Sequence, residues 1–345
     1  MYRFLIRPLL FLLPSERAHA IAMNLLLFGL RIPFVKRIVV IVFGVTAPNL
    51  PRMIWGLRFP NPLGIAAGFD KNGTYIDALV ALGFGSIEVG SITPRSQPGN
   101  PKPRLFRLKK SHALINRMGF NNDGCELIAR RLQKYHHRNF VLGANIGKNK
   151  DTPNGLAVDD YLTCFDALHP YVDYFVINVS SPNTPGLRAL QEREPLKIIL
   201  QSILSRNSML PQRKPIILKI APDLTNAQLD DIASLVQEIK LDGLVVSNTT
   251  LSREGLQEGS DFVSSLGDGG LSGAPLRRRA TEVLKYLRAQ LPEHISLIGV
   301  GGIDSAESAI ERMNAGAALI QIYTGLIYEG PGLVKKILKR IGSNT

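Results

Sequence analysis

The chain is short of several things that define large classes of function. Only two cysteines, Cys125 and Cys164, stand in its 345 residues, and neither has a Cys-x-x-Cys partner. That excludes a disulfide framework or zinc ribbon and makes a reducing compartment the expectation. The six histidines show no metal-ligand spacing, so no metal site is expected, and His136-His137 reads as a surface pair at a helix end. No apolar run near the start reaches the roughly 18–20 residues of a spanning helix. Its uncharged stretches, Ala18 to Leu30 and Ile38 to Pro51, are too short. A secretory signal is not expected either, because the run Leu9–Leu13 stops at Pro14-Ser15-Glu16 with no small-residue cleavage site. Zinc finger, RNP word and aromatic-interleaved basic stripe are all missing, which argues against nucleic acid. The first strand-like run is not followed by GxGxxG, which counts against an open dinucleotide-binding sheet.

What is present points to a folded, basic enzyme. Hydrophobic residues make up 45% and charged residues 20%, enough to bury a large core and exclude wholesale disorder. The net charge of +13 favours anionic partners: a membrane surface, or phosphorylated or carboxylate ligands. The densest basic run, Arg277-Arg278-Arg279, reads as a solvated helix face.

Residues 1–45 differ from the rest. They carry Arg3, Arg7, Arg17, Arg31, Lys36 and Arg37 against Glu16 alone, among many Leu, Ile, Val and Phe. Ser15 is a plausible N-cap with Glu16 in the first turn, and Pro33 can open a second helix. Two short, apolar, basic helices suit a membrane interface, with Arg and Lys near anionic headgroups.

Residues 46–345 are expected to form one catalytic domain, in which from about residue 60 one pattern recurs: a short apolar run, a polar or glycine-containing turn, then a helical stretch. The runs are 63–67, 86–90, 141–146, 174–179, 216–220, 243–247, 296–300 and 318–323. Most lack strict polar alternation, as expected of strands covered on both faces. Eight β/α units predict an α/β fold, a TIM-type (β/α)8 barrel with a small N-terminal helical extension. Chemistry in such barrels sits at the strand C-termini. Here those ends read AAGFDKNG, EVGSITP, ANIGKN, NVSSPNTPG, KIAPD, SNTT, GVGGID and IYTG. They are rich in carboxamides and hydroxyls, which orient a planar polar ligand, and they carry Lys71 and Lys219 for negative charge. The glycines of the last two words suit a phosphate held by backbone N–H groups. On chemistry alone, Lys219 could also be the Schiff-base lysine of an aldolase-type barrel.

In order along the chain, NPLGIAAGFDKNG, SIEVGSITPRSQPGNPKPRLFRL, INRMGFNN, NIGKNKDTP, NVSSPNTPGLR, KIAPDL, SNTTL, GGLSGAPL, IGVGGI and QIYTG resemble dihydroorotate dehydrogenases, specifically the membrane-associated, quinone-using class 2. The resemblance spans roughly residues 45–340. It implies FMN as cofactor, dihydroorotate and orotate as substrate and product, and a ubiquinone-type acceptor in pyrimidine synthesis. It further implies a peripheral protein, monomeric by preference, on the cytoplasmic face of a bacterial inner membrane. By the same resemblance Ser181 is the catalytic base; class 1 relatives carry cysteine there. Lys71, Asn116, Arg117, Met118, Gly119, Phe120, Asn178, Asn183, Asn248 and Thr249 would contact substrate. FMN would meet Ala67, Gly68, Phe69, Asp70 and Lys71, then Ser91, Asn145, Asn178, Lys219, Ser247, Gly273, Gly302, Tyr323 and Thr324. Ser91 and Ser247 stand where relatives often have threonine. The stretch 253–270 reads as a long polar loop near the substrate.

Overall fold

The computed structural model describes residues 2–343. Eight parallel strands close into a barrel: β1 (Leu63–Ile65), β2 (Ser86–Ile92), β3 (Val141–Ile146), β4 (Tyr174–Asn178), β5 (Ile216–Ile220), β6 (Gly243–Val246), β7 (Ser296–Val300) and β8 (Leu319–Ile322). Each pairs with its sequence neighbour, and β8 pairs back onto β1, with Gln321 opposite Gly64. All eight coincide with the apolar runs expected from sequence, within one to two residues at each end.

The strands do alternate once the barrel gives them an inside and an outside. Ile87 and Val89, Phe175 and Ile177, and Leu218 and Ile220 pack outward among the helices. Tyr174, Val176, Ile217, Val245, Ile298 and Leu319 fill the lower interior, which Trp55 and Phe59 close from below. With side chains alternating every second residue, the next inward positions belong to Glu88, Asn145, Asn178, Lys219 and Gln321. A slip of one residue in any of these strands would turn its polar group into the helix layer.

The helix layer includes Ile76–Ala81, Cys125–Leu132, Ala157–Leu168, Arg193–Ser208, Asn226–Glu238, Arg277–Gln290, Ala306–Asn314 and Gly332–Gly342. Thr225 caps the helix after β5 through a capping box with Gln228, and Ser305 does the same with Ser308 after β7. A second, antiparallel sheet, missed in sequence, joins 105–108, 113–116 and 270–273 above the rim. Its strands are four residues long and sit inside connections, so no repeating period marks them. The 253–270 stretch contains a short helix, Ser260–Ser265, and is fastened down: Glu258 accepts the Lys110 N–H at 2.8 Å and Arg253 bonds Gly269 O at 2.8 Å.

The N-terminal segment forms helices Ser15–Leu30 and Pro33–Phe43 after a shorter helical start. Pro33 opens its helix as expected, but Ser15 is not the N-cap. Pro14 holds that position at φ −52°, ψ 142° with no side-chain cap, its ring already fixing the turn. Glu16 does lie in the first turn, where it pairs with Arg104 at 2.9 Å. Among the described residues no helix is long and apolar enough to cross a membrane.

Candidate active site

The C-terminal ends of the strands open into one cavity, about 980 Å³ of empty space when its open mouth is included. The sequence-nominated residues Ser181, Lys71, Asn116, Met118, Gly119, Phe120, Asn178, Asn183, Asn248 and Thr249 line it. So do Ala67, Gly68, Ser91, Lys219, Ser247, Gly273, Gly302, Tyr323 and Thr324.

Four nominated residues stand back from the wall. Asn145 lies behind it, accepting from Ser91 Oγ and from Asn178 Nδ2 at 3.1 Å. Asp70 accepts the Thr74 and Tyr75 N–H groups at 2.9 and 2.7 Å, tethering the turn before helix 76–81. Burial pushes its carboxyl up, against those hydrogen bonds. Phe69 packs edge-on between His19 and Tyr323, at centroid distances of 4.7 and 5.5 Å. Arg117 turns away to bond the carbonyls of Leu266 and Asp268 and to cover the Phe106 ring at 4.7 Å. It braces the 253–270 cover rather than reaching the cavity.

Several cavity residues lie inside quoted words without a role assigned, among them Ser272, Leu276 and Gln321. Gln321 was legible, since it lies two residues before Tyr323 on the same strand face. Leu276 was not, because only folding brings the start of helix 277–290 to the rim.

The floor is a chain of carboxamides around one buried carboxylate. Glu88 accepts from Asn145 Nδ2 at 2.9 Å and from Gln321 Nε2 at 2.6 Å. Asn178 donates to Ser91 Oγ at 2.8 Å, and Asn248 donates to Ser180 Oγ at 2.9 Å. Such a network fixes amide orientations before any ligand arrives. Two groups are left over. Gln321 Oε1 is buried without a partner, and Lys219 Nζ makes no hydrogen bond among the described residues. Burial pulls the Lys219 pKa down, while Glu88 nearby holds it up. An unpaired acceptor and an ammonium without a hydrogen-bond partner, both in residues lining one cavity, suit a flat ligand with both donors and electron-rich acceptors.

On one side of the cavity Asn183 donates to Asn116 Oδ1 at 3.0 Å, and the Asn183 N–H donates to Ser181 Oγ at 3.2 Å. Lys71 lines the cavity with Nζ bonded to Gly68 O at 2.8 Å. Desolvation brings its pKa down to about 8, opposed by Glu16. On the opposite side lie Gly301, Gly302, Thr324 and Gly325. Gly302, at φ +71°, presses on the Arg277 backbone where a Cβ would collide. This leaves bare backbone facing the cavity, as phosphate-binding loops require.

The chain matches the family model described as "Dihydroorotate dehydrogenase" over residues 49–344. It is 51% identical to a "Dihydroorotate dehydrogenase (quinone)" of Christiangramia forsetii, covering 99% of this chain and 98% of that one. A protein of the same description from Stenotrophomonas maltophilia is 46% identical, covering 98% and 95%. Among solved structures, an Eimeria tenella DHODH in complex with ferulenol superposes with a TM-score of 0.82 at 38% identity, over 94% of this chain and 90% of that one.

Proposed function

The chain belongs to the dihydroorotate dehydrogenase family, and from that premise we propose how its cavity divides the work of oxidising dihydroorotate. The enzyme converts dihydroorotate to orotate in pyrimidine synthesis and passes the electrons to a quinone. Members of this family are flavoenzymes, and the flavin here is FMN. The residues fit it: Lys219 and Gln321 Oε1 await a polar ring system, and the Gly301–Gly302 and Thr324–Gly325 turns await a phosphate. Bound FMN would supply the hydride acceptor that no side chain provides.

Substrate lies on the Ser181 side. Lys71 attracts its carboxylate, while Asn116, Asn183, Asn248 and Thr249 match the hydrogen-bonding edges of the pyrimidine. Burying those edges unpaired would cost about 1–3 kcal/mol each. Ser181 Oγ removes the proton from C5 as hydride leaves C6. A serine hydroxyl is a weak base at neutral pH, so it works as a relay: Oγ takes the C5 proton as its own proton passes to water. The hydrogen bond donated by the Asn183 N–H favours the deprotonated oxygen. Lys219 keeps positive charge at the floor, where electron uptake by a bound ring is favoured.

Residues 46–345 act as the FMN-binding catalytic barrel and residues 1–45 as the membrane and quinone-access segment. The observation supporting this division is exposure. Among the described residues, fourteen of the 21 large hydrophobic residues that stay exposed, from Phe4 to Val42, lie in the first 43 positions. They would rest on an anionic cytoplasmic-face membrane surface without spanning it. His19 and Phe69 continue from this segment to Tyr323 at the cavity.

The carrying observation is that Ser181, Lys71 and four substrate-matching amide and hydroxyl residues share one cavity with glycine turns on its far side. Purified protein should be yellow and should bleach when dihydroorotate is added without oxygen. A protein that stays colourless after incubation with FMN would overturn the assignment.

A further inference from the structure

Arg312 lies in helix 306–314 and is only 1% exposed, the largest side chain so completely buried. No carboxylate meets its guanidinium: the adjacent Glu311 is taken by Arg277, with Nε to Oε2 at 2.8 Å. Its contacts are all backbone carbonyls. Nη1 donates to Val300 O at 2.9 Å, and Nη2 donates to Gly301 O at 2.8 Å and to Arg277 O at 3.2 Å. Nε is left without a partner. A buried cation so placed is expensive compared with a leucine or methionine of similar volume. Burial lowers its pKa to about 10, so at neutral pH the charge persists.

The strand makes room for it. A Cβ on Gly299 would collide with the Arg312 stem, coming within 2.8 Å of Cδ. The bonded carbonyls belong to the two consecutive peptides that precede Gly301 and Gly302. In a planar trans peptide the C=O and N–H point in opposite directions. Val300 O is shared with the Ser247 N–H at 3.1 Å, while Gly301 O is held by Arg312 without another partner among the described residues; fixing these carbonyls away from the cavity turns the Gly301 and Gly302 N–H groups toward it. Neither N–H donates to a backbone carbonyl among the described residues. Two unpaired donors thus face the cavity, with a positive charge behind them that no carboxylate hydrogen-bonds among the described residues.

We propose that Arg312 is the positioning residue of the phosphate subsite, holding the Val300–Gly302 turn so that its N–H groups grip the flavin phosphate while its charge, through the peptides, complements that dianion. This rests on the FMN reading above. It never touches the ligand, so its effect should depend on the phosphate and not on the ring.

The test compares FMN with riboflavin, which keeps the ring and lacks the phosphate. Flavin release from the holoenzyme, and riboflavin competition against it, are read by the fluorescence gained on release. Wild type should hold FMN at least tenfold tighter than riboflavin. Arg312→Met should lose at least tenfold for FMN and less than twofold for riboflavin, and Arg312→Lys should fall between. Equal loss for both flavins would make Arg312 a packing residue and overturn the inference. If wild type itself fails to discriminate, the phosphate-site reading fails first. Should Arg312→Met not fold, Arg312→Lys is judged by the same ratio, and an unchanged ratio sinks the proposal. If neither variant keeps the barrel's circular dichroism, Arg312 serves folding alone and the proposal falls.

Discussion

Ser181 sits where a weak base becomes useful. It is 6% exposed, faces the cavity, and accepts a hydrogen bond that favours loss of its proton. Replacing it with alanine should slow flavin bleaching by dihydroorotate at least ~100-fold, a typical loss for an acid–base group, while FMN stays bound. Bleaching at the wild-type rate would remove Ser181 from the chemistry. Lys71 makes a separate prediction about pH. Its pKa of about 8 lies below the ordinary lysine value because burial disfavours the ammonium. As pH rises through that value the free enzyme loses the charge meant for the substrate carboxylate. The ratio kcat/KM, which reports the free enzyme, should therefore fall above pH 8. In Lys71→Arg the guanidinium stays charged, so that descending limb should vanish; a limb unmoved by the substitution would point to another group. Burial lowers His19 to about 4, so it is neutral near pH 7 and adds no step there.

At the level of elements, the barrel strands were readable because each is a compact apolar run followed by a polar word. Lys219 and Asn178, at the ends of β5 and β4, could be picked out by that position alone. The antiparallel sheet over the rim was not readable, since strands as short as Ala113–Asn116 carry no usable period. Arg117 shows the same limit within the site: it shares a word with Asn116 and Met118, yet just past the end of strand 113–116 its side chain turns to the Leu266 and Asp268 carbonyls and braces the cover. The N-terminal helices are docked by an apolar seam, with Met23 buried in the main core and Leu26, Leu27, Leu30, Val39 and Phe43 packed against it, and by a few polar anchors. Arg104 holds Glu16 and also the carbonyls of Pro98 and Asn100, at 2.6 and 2.9 Å. Glu16→Ala should leave that buried guanidinium uncompensated and loosen the helix pair. Limited proteolysis within residues 1–45 should then accelerate while the barrel stays resistant; unchanged cleavage would deny the anchor its role. Phe34 and Ile41 are 72% and 67% exposed on helix 33–43. Changing both to serine should weaken binding to vesicles containing anionic lipid by about tenfold or more. Turnover with a short-chain, water-soluble quinone should hardly change. If vesicle binding stays intact, that helix face does not meet the lipid.

Across the whole molecule, two catalytic demands are separated in space. On the proposed reading, Ser181 and Lys71 serve the substrate side of the cavity. Phe69 packs between His19 of the N-terminal helices and Tyr323 of the cavity wall, and on the same reading a lipophilic acceptor comes to that side. No iron–sulfur relay is needed for such an arrangement, and the two buried cysteines could not furnish one. The measurement that bears most directly on this division is anaerobic stopped-flow absorbance of the flavin, with dihydroorotate mixed first and quinone second, in the full chain and in a chain lacking residues 1–45. The full chain should bleach and then recover its colour; the shortened chain should bleach at a near-normal rate and recover slowly. Equal slowing of both phases would contradict the division of labour, and a full chain that never bleaches would contradict the site itself.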